Sequence, residues 1–153
     1  MRFTYVVKMK ITLFAFLLAL FSAVSVSAGQ NDKNYGSAVV AEITSIYDGD
    51  TFRCNISGFP AIIGERIPIR INGIDTPELK DSRNLIKQLA RLAKQHTVQR
   101  LREGRKIELR NMKRGKYFRI VADVYVDGQN LGQELIQKGL AKPYDGGRKP
   151  TWP

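Results

Sequence analysis

The sequence predicts a single α+β domain, mainly β, built on five strands. Three observations carry that expectation. Five segments read as strands, and the third and the fifth set their apolar residues on one face at period two. One long amphipathic segment of helical period lies between the third and fourth strands. A short capped segment of helical period follows the fifth. A small five-stranded barrel satisfies this order, although strand pattern alone does not separate it from an open sheet.

The first two strands are Val39 to Tyr47 and Phe52 to Ile56, joined through Asp48-Gly49-Asp50-Thr51, where the Asp-Gly pair reads as a hairpin turn. Residues 57–65 are expected as a loop containing Gly58 and Pro60. In the third strand, Arg66 to Ile71, the residues Ile67, Ile69 and Ile71 share one face and leave Arg70 on the other. Asn72-Gly73 and Thr76-Pro77 then break regular structure, with Asp75 and Glu78 close together in the break.

Asp81 or Ser82 is expected to cap a helix running to about Arg102, with Ile86, Leu89, Ala90, Ala93, Thr97 and Leu101 on its buried stripe and Gly104 as its stop. The only histidine, His96, flanks that stripe with no second His or Cys to join it, which favours a packing role. The last two strands are Lys106 to Asn111 and Phe118 to Val126, separated by the basic turn 112–116. Phe118, Ile120, Ala122, Val124 and Val126 are placed on the core face and Arg119 opposite them. Asn130 with Gln133 resembles a capping pair opening a short helix that ends near Gly139.

The N-terminus is of a different kind. Arg2, Lys8 and Lys10 precede an apolar run from Ile11 to Val24, and Val26-Ser27-Ala28 offers a small-residue cleavage site. That is the layout of a signal peptide, expected over residues 1–28, and the run is shorter than the roughly 20 residues a spanning helix needs. The expectation is therefore an exported protein, periplasmic or secreted, with no membrane span after cleavage. Residues 29–38 are then a flexible lead-in, 39–144 the folded domain and 145–153 an irregular tail. Removing the leader lowers the formal charge from +11 to +8, a basic balance that suits a polyanion. With Cys54 the only cysteine, no internal disulfide can form and the fold rests on its core.

The polar residues placed by this reading form one group: Asp48 and Asp50 at the first hairpin, Asp75 and Glu78 after the third strand, and Arg70 and Arg119 on strands. Carboxylates without a His or Cys cluster point to a hard, oxygen-preferring cation such as calcium or magnesium. An EF-hand loop is excluded, because Arg53 stands where that loop needs glycine.

These residues resemble the staphylococcal nuclease-like (thermonuclease) family. The resemblance is carried by Asp48-Gly49-Asp50-Thr51, by Arg70 with Asp75-Thr76-Pro77-Glu78, and by Lys116-Tyr117-Phe118-Arg119. Val124 to Gly128 and Leu135 to Lys142 extend it, so that it covers about 39–144. It implies an OB-fold barrel and a calcium-dependent nuclease acting on DNA and RNA and leaving 3′-phosphates. By the same resemblance Asp50 and Asp75 are direct ligands of one Ca2+, with Thr76 contributing its backbone carbonyl and Asp48 acting through water. Glu78 would activate the attacking water, Arg70 and Arg119 would hold the phosphate, and Lys116, Tyr117 and Tyr144 would lie near nucleotide. The family's third helix has no counterpart here, and the segment between Asp50 and Arg70 is longer than in its founding member. A monomer with no stable protein partner is expected. The alternative is a non-catalytic nucleic-acid-binding OB-fold protein. Asp50, Asp75 and Glu78 argue against it, because carboxylates beside a phosphate repel it unless they serve chemistry.

Overall fold

The computed structural model describes residues 33–152. The expected leader and the first part of the lead-in lie outside the described residues, as does Pro153.

Strand β1 (Ala38–Ile46) pairs antiparallel with β2 (Thr51–Ile56), and β2 pairs antiparallel with β3 (Ile67–Ile71). On its other side β1 pairs with β5 (Ile107–Arg114), which pairs antiparallel with β6 (Ile120–Val126). A parallel pairing of β3 with β6, Ile69 opposite Ile120 and Ile71 opposite Ala122, closes the five strands into a barrel. Closure needs bending, and register shifts supply it between Val40 and Glu42, between Ile43 and Ser45, and between Arg110 and Lys113. Short pairs finish the frame: β4 (Ile74–Asp75) with β8 (Lys142–Pro143), and β7 (Gln129–Asn130) with the end of β6.

The alternation predicted for the third strand is observed: Ile67, Ile69 and Ile71 are buried while Pro68 and Arg70 are only partly so. With Phe52, Cys54, Leu109, Ala122, Val124 and Val126 they fill the barrel. The interior pushes the Cys54 thiol up to about 12, because a thiolate there would lose its hydration.

Between Pro60 and Glu65, where a loop was expected, one helical turn forms as α1 (Ala61–Gly64). The long helix is α2 (Asn84–Glu103), and its buried residues Ile86, Ala90, Ala93, Thr97 and Leu101 are those of the predicted stripe. Its start differs from the expectation. The N-cap is Arg83 rather than Asp81 or Ser82, and the Asp81 carboxylate instead accepts the Arg83 backbone N–H (2.8 Å) and its guanidinium. Helix α3 (Leu131–Gln137) starts as predicted, the Asn130 side chain accepting the Gln133 N–H at 3.0 Å. His96 packs between the helices, its Nε2 lying 3.2 Å from Glu134, which also pairs with Arg100.

Two boundaries around the expected turn 112–116 are corrected, the first being that β5 runs on to Arg114, where Lys113 and Arg114 pair with Val121 and Ile120. The fifth strand begins at Ile120, not Phe118, because the Gly115 N–H reaches the Arg119 carbonyl at 2.7 Å and draws the preceding residues into a tight turn. Tyr117 and Phe118 both take φ of 58°, in the left-handed region, and Phe118 is 65% exposed instead of facing the core. Arg119 accordingly sits at the entry to β6.

Ile69→Ala should lose about 2–5 kcal/mol in urea unfolding, as expected for a large side chain removed from a packed interior. Phe118→Ala should stay within about 0.5 kcal/mol of the parent, as for an exposed residue. Equal losses at the two positions would contradict this register.

Candidate active site

The turn between β1 and β2 is held from three sides. The Tyr47 and Asp48 N–H groups both donate to the Thr51 carbonyl, and the Asp50 N–H donates to the Asp48 carboxylate (3.1 Å). From α2, the Thr97 hydroxyl donates to the Gly49 carbonyl at 2.7 Å. A Cβ at Gly49 would stand 2.8 Å from Ala93 and 2.9 Å from Thr76, so only glycine lets the turn sit this deep. The result is that Asp50 points inward and is 1% exposed.

Asp50 is surrounded by donors. One carboxylate oxygen accepts the Thr51 hydroxyl (2.9 Å) and pairs with Arg70 Nη1; the other accepts the Thr76 backbone N–H (2.9 Å) and hydroxyl (3.0 Å). Arg70 also donates from Nη2 to Asp75 Oδ1 at 3.0 Å, so one guanidinium links two buried carboxylates. The strands place it there, since Arg70 is opposite Thr51 on β2 and Val121 on β6. Burial pushes the Asp50 carboxyl up to about 7; the Arg70 charge opposes this, while that of Asp48 adds to it.

Arg119 lies just ahead of β6, two residues before Val121, which pairs with Arg70. Its Nε is buried and has no hydrogen-bond partner. A buried guanidinium nitrogen without an acceptor is costly, and an incoming anion would satisfy it.

Of the residues singled out from sequence, the structure brings Asp50, Arg70, Asp75 and Thr76 into one hydrogen-bonded group. Asp48 stays on the turn as acceptor for Asp50. Glu78 lies exposed on the loop after β4, where Lys149 reaches it at 2.5 Å. Lys116 and Tyr117 project from the turn before β6, Tyr117 being 93% exposed. Tyr144 is turned into the tail, its hydroxyl donating to the Gly147 carbonyl.

Two contributors escaped the sequence reading. Thr97 was placed on an apolar stripe, yet a buried hydroxyl requires an acceptor and this one fixes the turn that carries Asp50; the lone polar residue on that stripe was the available signal. Lys149 lies in a segment read as irregular, and no local pattern marks it. Its contact with Glu78, with the charge of Asp75 behind it, lifts its ammonium above the usual lysine range.

Among the described residues no three His, Cys, Asp or Glu side chains converge. A cation held here would therefore draw on two carboxylates, Asp50 and Asp75, completed by backbone oxygen and water. The donor set fits a hard ion of that kind: it is all oxygen, and both carboxylates are buried.

A family profile described as "Staphylococcal nuclease homologue" matches residues 68–151. The chain is 28% identical over 115 residues to "Endonuclease YncB" of Bacillus subtilis, covering 73% of this chain and 51% of the relative. It is 29% identical over 130 residues to an "Uncharacterized endonuclease" of Haemophilus influenzae, covering 84% and 61%. It is 31% identical over 94 residues to the "SPbeta prophage-derived endonuclease YokF" of Bacillus subtilis, covering 54% and 31%. The chain thus spans about half the length of the curated relatives it matches.

The shift of Asp50 has a measurable consequence in chelator. Its ordinary value is 3.8, so between about pH 4 and 7 the folded protein holds a proton that the unfolded chain has released. The stability this proton contributes is present at low pH and is lost as pH rises through 7. Asp50→Asn should remove that slope, so that its thermal midpoint gains on the parent's as pH rises from 4 to 8. Parallel curves for the two proteins would show that Asp50 is charged throughout.

Proposed function

The chain belongs to the staphylococcal nuclease family, and on that premise we propose that it is a calcium-dependent nuclease hydrolysing phosphodiester bonds of DNA and RNA. The observation that supports this most directly is the Arg70 guanidinium shared by buried Asp50 and Asp75; the buried, unpartnered Nε of Arg119 just ahead of β6 adds a second candidate anion donor. A protein that only bound nucleic acid would gain nothing from two buried carboxylates next to its phosphate-holding arginines.

In this reading Arg70 and Arg119 hold the scissile phosphate. Arg70 has donors to give, since its Nε makes no bond among the described residues. Arg70 is held by a strand paired on both sides and the backbone of Arg119 by the tight turn ahead of β6, so they meet the charge that grows on the phosphoryl oxygens with little reorganisation. Glu78 takes the proton from the attacking water; its exposed position on the loop after β4 leaves room for water and substrate. The 5′ oxygen leaves and the product keeps a 3′-phosphate. Asp50, Asp75 and the Thr76 carbonyl are the proposed ligands of one calcium ion, with Asp48 reaching it through water. When bound, calcium supplies positive charge against the phosphate and the attacking oxygen. Calcium suits ligands drawn from a turn and a separate loop better than magnesium, which demands a tighter octahedron.

Export belongs to the same reading, and it rests on the charged start, apolar run and small-residue site of residues 1–28. Among the described residues no helix is long and apolar enough to cross a membrane. Protein made with its own leader should show an intact mass beginning at Gly29; a retained leader would refute this part.

The decisive assay incubates purified protein with plasmid DNA and with RNA. Calcium should support cleavage, chelator should abolish it, and magnesium alone should support much less; full activity in magnesium would overturn the calcium assignment. Glu78→Gln should keep oligonucleotide binding and lose about a hundredfold or more in kcat. Arg119→Lys should lose about a hundredfold despite keeping its charge, because an ammonium cannot form the planar paired contact. A normal rate in either variant would remove that residue from the proposed chemistry.

A further inference from the structure

The C-terminal segment turns back over the loop that carries Asp75 and Glu78. The Tyr144 N–H donates to the Gly73 carbonyl at 2.9 Å, directly after the β4–β8 pairing. The chain then reverses through Gly146, whose φ is 95°. Its far end is tied by two cations: Lys142 donates to the Thr151 carbonyl (2.7 Å) and lies 4.9 Å from the Trp152 ring centre, and Arg83 donates to the Trp152 carbonyl (2.8 Å). Held at both ends, the strap delivers Lys149 to the site, with Nζ 2.5 Å from Glu78 Oε1 and 3.5 Å from Asp75 Oδ1.

We infer that Lys149 is a third phosphate-binding cation of this site, supplied by the C-terminal strap; the inference rests on the nuclease reading above. Geometry supports it first. Lys149 Nζ and Arg70 Nη2 both contact the same oxygen of Asp75, so a single phosphate group can span the two nitrogens. An ammonium has three donors, and two carboxylates do not use them all. Its side chain is about half exposed, which leaves the nitrogen open to an incoming strand.

Charge supports it second. Asp50 and Asp75 share one guanidinium, Arg70, and Asp48 and Glu78 bring further negative charge to the same turn and loop. Segments so rich in carboxylates need added positive charge to draw in a phosphodiester anion, and Lys149 supplies it. As a compact ammonium on a flexible stem it acts as a point charge on the ground-state phosphate, unlike the paired arginines.

The test uses the full chain with Lys149→Ala and Lys149→Arg. Binding of a fluorescein-labelled single-stranded DNA is measured in chelator, where no cleavage is expected, across a salt series. Cleavage is measured separately in calcium. Lys149→Ala should weaken binding about three- to tenfold at low salt and make the log–log salt slope shallower by about 0.7, the share of one phosphate contact on a single strand. KM should rise by a similar factor with kcat within about twofold, and Lys149→Arg should recover most of the loss. Trp152, the only tryptophan, reports whether the strap stays in place. If its emission shifts in the alanine variant, Lys149→Gln repeats the measurement with the length of the side chain largely kept. Unchanged affinity and slope would overturn the inference. So would faster cleavage or tighter calcium binding on loss of Lys149, which would make the lysine an internal plug. A parent that fails to cleave but loses DNA affinity on Lys149→Ala would overturn the catalytic reading and keep Lys149 as a phosphate ligand. A cleaving parent whose variant binds and cuts as before would do the reverse.

Discussion

The arrangement depends on one guanidinium held between two buried carboxylates. Asp50 and Asp75 come from different segments, and without Arg70 their charges would face each other in an interior that solvates neither. Arg70 can stand between them only because β3 is paired on both sides, with β2 and with β6, so that its backbone cannot shift. Barrel closure and site geometry are thus the same structural fact. The strand that completes the barrel is also the strand that aims the arginine.

The turn beneath Asp50 shows how the helix takes part. Thr97 on α2 pulls on the Gly49 carbonyl, and Gly49 has no side chain to resist. The long helix therefore does more than cover an apolar face; it seats the turn that buries the carboxylate. Thr76 completes the arrangement from the other side with two hydrogen bonds. Each of these contacts is short in space and long in sequence, which makes the carboxylate rigid at the expense of its hydration. The upward shift of Asp50 is the electrostatic record of that burial.

The C-terminal strap shares this logic at the surface. It is irregular in backbone, but it is tied to α2 through Arg83 and to itself through Lys142. Irregular backbone and definite position are compatible where side chains carry the hydrogen bonds that a helix or sheet would otherwise supply. A lysine set on such a segment reaches Glu78 and Asp75 from a part of the chain outside the barrel strands.

By itself, the sequence determined the elements and the chemical types. Period-two alternation in 67–71 placed Arg70 opposite three isoleucines, helical period between the expected cap at 81–82 and about Arg102 marked the buried stripe, and Asn130 with Gln133 marked a helix start. Each is a pattern of neighbours, and burial of one face is enough to impose it. Residue type also made legible that Asp50, Asp75 and Arg70 form an oxygen-rich, anion-handling group, and the family resemblance named their proposed roles. Tertiary structure decided the rest. The closing pair β3–β6 is parallel, so no local turn announces it. Phe118 leaves the core face because a tight turn ending at Arg119 outweighs its strand propensity. Arg83, not Asp81 or Ser82, caps α2, since Asp81 is taken by the guanidinium beside it. Lys149 meets Glu78 across 71 positions of sequence. Contacts of that separation follow from how whole elements pack, and the summed packing of many residues leaves no signature in any one stretch of the chain.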